Sequence, residues 1–171
     1  VKRGQRGEIV ISAPNAMDRY YNNPKATEEY FTIDDDGIRW GWPGDIAVEQ
    51  PNNSYTMLGR KQNSYINSDN KRSYLFDTKE TMSNDPSIFE CEAVALPIKS
   101  GKEYAEVVFI VLNEEYKGHE LEIISRVSKL RKVDGIKFID AFGTSEITGK
   151  RDTKALLNDR NDFYMPYNDT C

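Results

Sequence analysis

The chain has 171 residues, 38% of them hydrophobic and 30% charged, with a formal net charge of −5. That length suits one medium domain or two small ones. No apolar run approaches the roughly 20 residues of a membrane helix, and the acidic balance argues against a general nucleic-acid binder, which needs a basic surface.

In chain order, Gly7 to Ile11 reads as a strand, rich in β-branched residues. Pro24 to Phe31 reads as a short helix, with Asn22 or Asn23 as its cap and Pro24 suited to its first turn. Asp34-Asp35-Asp36-Gly37 is a turn; its three acids lack the spacing and closing Glu of a calcium loop. The stretch "WGWPGDIAVEQPNNSYTMLGRK", residues 40–61, reads as a β-hairpin around Pro51-Asn52-Asn53-Ser54. It places one acid, Asp45, and one base, Arg60, at its open end.

After Arg60 the composition changes. Residues 62–73 are polar, with Tyr65 and Ile66 as apolar anchors, and a linker falls near Lys61-Gln62-Asn63. Leu75 to Met82 reads as a helix. Ile88 to Leu96 and Tyr104 to Leu112 read as strong strands joined by a turn at Lys99-Ser100-Gly101. Leu121, Ile124, Val127 and Leu130 mark one face of an amphipathic helix over residues 118–131. The basic run Lys129, Arg131, Lys132 reads as its solvated end. Gly135 is expected to end that helix, and Ile136 to Ile139 to form a third strand, with a last helical turn or two near Asp152 to Leu157. Strand, strand, helix, strand with a helix in front predicts a small α+β domain.

The two cysteines, Cys91 and Cys171, cannot make a disulfide framework. Cys91 lies in an apolar strand pattern and reads as a reduced core thiol. A cytoplasmic location is the expectation, with no signal peptide at the start. His119 is the one histidine, at a helix start, and the N and S ligands are too few for a metal site. The opening at Val1, directly in charged sequence, reads as a fragment of something longer.

The order of features resembles the adenylate-forming superfamily of acyl-CoA synthetases, luciferases and peptide-synthetase adenylation domains, over nearly the whole chain. Arg6-Gly7-Glu8-Ile9-Val10-Ile11 resembles its Gly-Glu-Leu strand. Tyr20-Tyr21-Asn22-Asn23-Pro24-Lys25-Ala26-Thr27 resembles its Gly-Tyr-x-Asn segment, with Tyr20 in the glycine place. Trp42-Pro43-Gly44-Asp45 resembles its Thr-Gly-Asp motif, with Pro43 for threonine. Leu58-Gly59-Arg60-Lys61 resembles its Gly-Arg motif, and Thr148-Gly149-Lys150 its terminal Gly-Lys motif. Each is weak alone; five in order make chance a poor explanation.

The resemblance implies an α+β fold in two parts. Residues 1–60 would end a large, β-rich, distorted-barrel N-terminal domain that binds the adenylate. Residues 61–64 would be a hinge centred on Gln62. Residues 65–171 would be a mobile C-terminal α+β domain with a mostly antiparallel three-stranded sheet and flanking helices. It implies that Asp45 accepts hydrogen bonds from ribose hydroxyls, that Arg60 contacts the same nucleotide, and that Lys150 is the catalytic lysine. These residue types suit the roles. A carboxylate accepts charge-assisted bonds, a guanidinium offers several donors, and an ammonium stabilises charge growing on phosphorus. A surface ion pair closing a hairpin is the bland alternative for Asp45 and Arg60, and a solvated lysine after a loop glycine the alternative for Lys150.

The implied reaction joins a carboxylic acid and ATP into an acyl-adenylate, then transfers the acyl group to a thiol, either CoA or a carrier-protein phosphopantetheine. Mg2+ would accompany ATP, bound mainly by an N-terminal domain that this chain lacks, so the fragment alone would be inactive. Several positions depart from the family. No glycine occurs in residues 66–72, where the family has a turn lining the pantetheine path, though Asn and Asp also take left-handed conformations. The proline usual upstream of the lysine is missing from residues 142–147, Asp134 stands in a common proline place, and Thr153 where an arginine commonly follows. Those departures keep a second reading open, a non-catalytic interaction module of the same ancestry. An unrelated α+β interaction domain is the third.

Overall fold

A computed structural model describes residues 2–67, 69–98, 104–145 and 149–165. The chain divides into two compact units, Val1–Gln62 and Asn63–Cys171.

The first unit opens with β1 (Arg6–Glu8) and α1 (Pro24–Tyr30). β1 is shorter than the apolar run predicts. Past Glu8 the backbone bonds divide: the Ile9 N–H reaches the Asp45 carbonyl at 2.8 Å, and Ile11 exchanges bonds with Gly41 at 2.9 and 2.8 Å. The run therefore crosses between two ladders instead of extending one. Asn23 caps α1, accepting from the Ala26 N–H at 3.1 Å, while Asn22 takes a left-handed φ of 49°. Phe31 leaves the helix for β2 (Phe31–Ile33), which pairs with β3 (Arg39–Gly41) in a hairpin. Asp34 holds its turn: one carboxylate oxygen accepts from the N–H groups of Asp36 and Ile38, the other from the Trp40 indole at 2.8 Å. That indole bond, with the two backbone donors, keeps its carboxyl below the usual carboxylate value.

The expected hairpin is β4 (Asp45–Glu49) against β5 (Tyr55–Arg60), with β1 on the other side of β4, all antiparallel. Its register shifts after Ile46, which faces Gly59 while Ala47 faces Met57; Leu58 is the extra residue of a bulge. Among the described residues, Ile46 and Ala47 are the buried hydrophobics of this unit, whereas Tyr21, Ile33, Tyr55 and Met57 are well exposed.

The second unit begins with a hairpin that the polar composition hid, β6 (Ser64–Ile66) against β7 (Arg72–Tyr74). Asn70, at φ 58°, supplies its left-handed residue in the absence of glycine. Then follow α2 (Leu75–Ser83), β8 (Ile88–Pro97), β9 (Tyr104–Leu112), α3 (Glu120–Leu130), β10 (Gly135–Phe138) and α4 (Thr153–Asn158). The turn expected at residues 99–101 lies outside the described residues, as does Cys171. The sheet order is β10-β9-β8, antiparallel between β8 and β9, parallel between β9 and β10. This is the predicted α+β fold with a mostly antiparallel three-stranded sheet.

Both sheet faces are covered. Met82, Cys91, Val108, Ile110, Ile123, Ile124, Val127 and Ile136 fill one side; Val94, Leu96, Val107, Phe109 and Leu156 fill the other. A strand buried on both faces has no polar side to present, so Val107 to Leu112 is continuously apolar. Cys91 is a free, buried thiol whose pKa burial pushes up.

Three expectations change here. α3 buries Ile123, Ile124 and Val127, while Leu121 is 73% and Leu130 53% exposed. Residues three apart fall about 60° short of a full turn, so the outer members of a four-residue series swing off the face. Gly135 does not end the helix; the extended Arg131 does. Gly135 starts β10, where an added Cβ would meet Val107 Cγ1 at 3.1 Å and Phe163 Cβ at 3.3 Å. Arg131 is not a solvated end either: its Nε donates to Thr78 Oγ1 at 3.0 Å, and it lies 3.9 Å from the buried Glu106 carboxylate. No helix among the described residues is long and apolar enough to cross a membrane.

Candidate functional site

The β4–β5 register sets Asp45 directly opposite Arg60. Gly44, at φ +80°, turns the chain into β4, and its carbonyl accepts from the Lys61 N–H at 2.7 Å. Arg60 Nε meets Asp45 Oδ1 at 2.7 Å, and Arg60 Nη1 donates to the Pro43 carbonyl at 2.9 Å. Lys61 pairs with Glu8 on β1 at 2.6 Å. The Asp45 side chain is 26% exposed and that of Arg60 55%. A half-exposed pair of this kind contributes about 0–1 kcal/mol, so a ligand with hydroxyls and anionic oxygens can engage both groups at small cost. The carboxylate accepts hydroxyl hydrogens, and the guanidinium keeps further donors for oxygen.

Lys150 belongs to the second unit, and its motif partner Thr148 lies outside the described residues. Lys150 is exposed. Its carbonyl accepts from the Ser145 N–H at 2.7 Å, and the Gly149 N–H donates to the Ser145 carbonyl at 2.8 Å. Gly149 takes φ +64°, and a Cβ built there meets nothing within 4 Å. The glycine thus serves a left-handed turn here. Gln62, exposed in a turn, is the last residue of the first unit. The structure brings Asp45 and Arg60 together; Gln62 follows Arg60 by two residues, in the turn after β5, and Lys150 belongs to the second unit.

Sequence reasoning missed three polar clusters of the second unit. Glu106, 3% exposed on β9, accepts from Thr78 Oγ1 and from the Tyr65 hydroxyl at 2.5 Å. Burial, reinforced by Glu106, pushes the Tyr65 phenol well above its usual value. The one charge inside the run Tyr104 to Leu112 was its available signal. Asp85, 5% exposed, accepts from Arg126 through both oxygens at 2.7 and 2.9 Å and from the Ser87 hydroxyl at 2.5 Å. The third cluster surrounds Arg151, next to Lys150. It bonds Glu92 at 2.6 Å, Glu90 at 2.8 Å and the Cys91 carbonyl at 3.1 Å.

No family model matches the chain. Over 105 residues it is 30% identical to the acyl-CoA ligase sidI of Aspergillus fumigatus, a match covering 61% of this chain and 17% of that protein. The solved structure of ATP-bound MatB from Rhodopseudomonas palustris superposes with a TM-score of 0.74 at 18% identity, covering 92% of this chain and 31% of that one. O-succinylbenzoate coenzyme A synthetase of Bacillus subtilis, in complex with AMP, gives 0.70 at 20% identity, covering 96% and 32%. The chain spans between about a twelfth and three tenths of the length of the curated relatives it matches. The chain thus resembles acyl-CoA ligases in sequence over about three fifths of its length, and it shares the fold of these solved structures over more than nine tenths.

Proposed function

We propose that the chain is the C-terminal part of an ATP-dependent acid–thiol ligase. A carboxylate attacks the α-phosphorus of ATP, releasing pyrophosphate and leaving an acyl-adenylate. A thiol, CoA or a carrier-protein phosphopantetheine, then takes the acyl group and AMP departs. Asp45 accepts the ribose hydroxyls, Arg60 contacts the same nucleotide, and Lys150 supplies positive charge during adenylation. The observation carrying this reading is the in-register Asp45–Arg60 pair, 2.7 Å apart, in a fold shared with ligases solved with ATP and AMP. The thin core of the first unit supports a larger body around it, since exposed apolar groups such as Tyr55 and Met57 gain by burial against further chain. Mg2+ and most of the ATP contacts belong to that body, so the 171-residue chain alone is inactive.

ATP–pyrophosphate exchange by the whole protein, across a panel of carboxylic acids, tests the reading; exchange with none of them rejects it. Asp45→Ala in the whole protein should weaken AMP binding measurably by calorimetry. Loss of a surface pair costs about 0–1 kcal/mol, so the melting temperature should hardly move. A collapse in melting with affinity intact would make Asp45 a structural residue.

The second reading, a non-catalytic module, drew on the glycine-free turn and the altered lysine context. Asn70, at φ 58°, supports a working turn and weakens that motive. Thiol release of acyl groups by the whole protein separates the two.

Gln62 is the proposed hinge. Hinges absorb their change over a few terminal or loop residues, which need not be glycine. Limited proteolysis should cut between Arg60 and Asn70 before cutting inside either unit. Gln62→Pro, which fixes φ near −65°, should spare one half-reaction and impair the other. Resistance to cleavage there, or full rates in both half-reactions, would remove the hinge.

A further inference from the structure

Lys150 is exposed, and its neighbour is one of the most heavily bonded side chains in the unit. We infer that Arg151 is a positioning residue that clamps the Lys150 segment to the edge strand β8; the inference rests on the adenylation role proposed for Lys150. The Arg151 side chain is 23% exposed. Nη1 donates to Glu92 at 2.6 Å and to the Cys91 carbonyl at 3.1 Å, and Nη2 to Glu90 at 2.8 Å. Its guanidinium carbon lies 4.2 Å from the centroid of the Phe142 ring, within stacking range. The planar fork of an arginine holds several acceptors in one geometry, which a lysine cannot do.

The backbone adds a second constraint. Arg151 forms a bridge with Thr144, and the Asp152 N–H donates to the Gly143 carbonyl at 2.8 Å. Asp152 then caps α4, accepting from the N–H groups of Lys154 and Ala155. Leu156 of α4 is buried with Val94 and Leu96 of β8. Glu90, Glu92, Val94 and Leu96 alternate onto one face of β8. The segment is therefore gripped on that face by charge at Arg151 and by apolar burial at Leu156. Neighbouring Cα atoms are about 3.8 Å apart, so fixing Arg151 fixes the origin of the Lys150 side chain. Arg151 is turned onto β8, and Lys150 beside it is exposed.

An ammonium aimed at a reacting phosphate depends on such placement, because a displacement of about 1 Å can cost roughly 10²-fold in rate. These Arg151 contacts are all to the chain's own residues, so its effect is expected in kcat more than in KM for ATP.

Two measurements test the clamp. In the 171-residue chain, hydrogen exchange of the Gly149 and Asp152 amides should quicken at least about tenfold in Arg151→Ala, with β9 amides such as Val108 unchanged. Arg151→Lys and the Glu90→Gln/Glu92→Gln pair should give intermediate exchange. In the whole ligase, Arg151→Ala should lower kcat for adenylation by about 10- to 100-fold with KM for ATP little changed, and Arg151→Lys should recover part of the rate. Unchanged exchange at Gly149 and Asp152, or full adenylation by Arg151→Ala where Lys150→Ala is slow, overturns the clamp. Full adenylation by Lys150→Ala instead overturns the underlying role of Lys150, and with it the function given to Arg151.

Discussion

Lys150→Ala in the whole ligase is expected to slow acyl-adenylate formation by about 10²–10³-fold while thiol transfer from supplied adenylate is slowed far less. Two facts support the size of the effect. Lys150 is an exposed residue just after a left-handed glycine, so its ammonium can project from the surface without reorganising a core. And charge on phosphorus rises on the way to the pentavalent transition state, where a preorganised positive group is worth most; loss of one such donor typically costs about 2.7–4 kcal/mol. The thiol step breaks an acyl–phosphate bond and develops charge at a carbonyl carbon's oxygen, which Lys150 does not serve in this scheme. Single-turnover measurements of pyrophosphate release and of thioester formation separate the two steps. Equal slowing of both would take Lys150 out of its role. Lys150→Arg is a useful companion: it keeps the charge but changes its shape, and should fall between the alanine variant and the parent.

Legibility in the sequence followed how local each signal was. β8, β9 and α3 announced themselves because burial needs a run of apolar residues, and Val107 to Leu112 supplied one. The nearness of Asp45 and Arg60 was readable because a hairpin turn at Pro51 to Ser54 brings its strand ends together; the direct pairing was not, since the bulge at Leu58 is what sets Arg60 instead of Gly59 opposite Asp45. The β6–β7 hairpin was not, because it is held by polar groups: Tyr65 and Ser73 reach Glu106 across 41 and 33 residues of sequence. The β2–β3 hairpin likewise depends on Asp34 and its Trp40 bond rather than on an alternating apolar pattern. Arg151 escaped notice for the same reason, since Glu90 and Glu92 lie 61 and 59 residues away. The helical stripe on α3 failed in detail because spacing by threes alone drifts around the cylinder, and the sheet beneath decides which arc is covered.

The largest stability effect is expected at Arg126. Asp85 is almost wholly buried, its side chain 3% exposed, and Arg126 binds both its oxygens. Ser87 adds its backbone N–H at 3.0 Å and its hydroxyl. Arg126 comes first among the causes holding the Asp85 carboxyl far below its ordinary value near 3.8. Arg126→Met keeps the stem but leaves the carboxylate buried with serine donors alone. Breaking one side of a buried pair costs about 3–5 kcal/mol, and the 39% exposure of the Arg126 side chain places the expected loss at the lower end. For a unit of about this size that lowers the melting temperature by roughly 10 °C or more. The pH dependence carries a sign. In the parent, the Asp85 contribution is fully present above the unfolded carboxyl value and is lost as pH falls below it, because the folded value is depressed. In Arg126→Met the first cause of the depression is gone, so the variant has less of this contribution to lose as pH falls. The stability gap between the two proteins should therefore be widest at neutral pH and narrow as pH falls through the ordinary carboxyl value near 3.8. Asp85→Asn combined with Arg126→Met should recover much of the loss at neutral pH, since no charge is then buried. Circular dichroism melts from neutral pH down through the ordinary carboxyl value near 3.8 measure all of this. A gap that stays constant with pH would show that Arg126 does not act through the ionisation of Asp85.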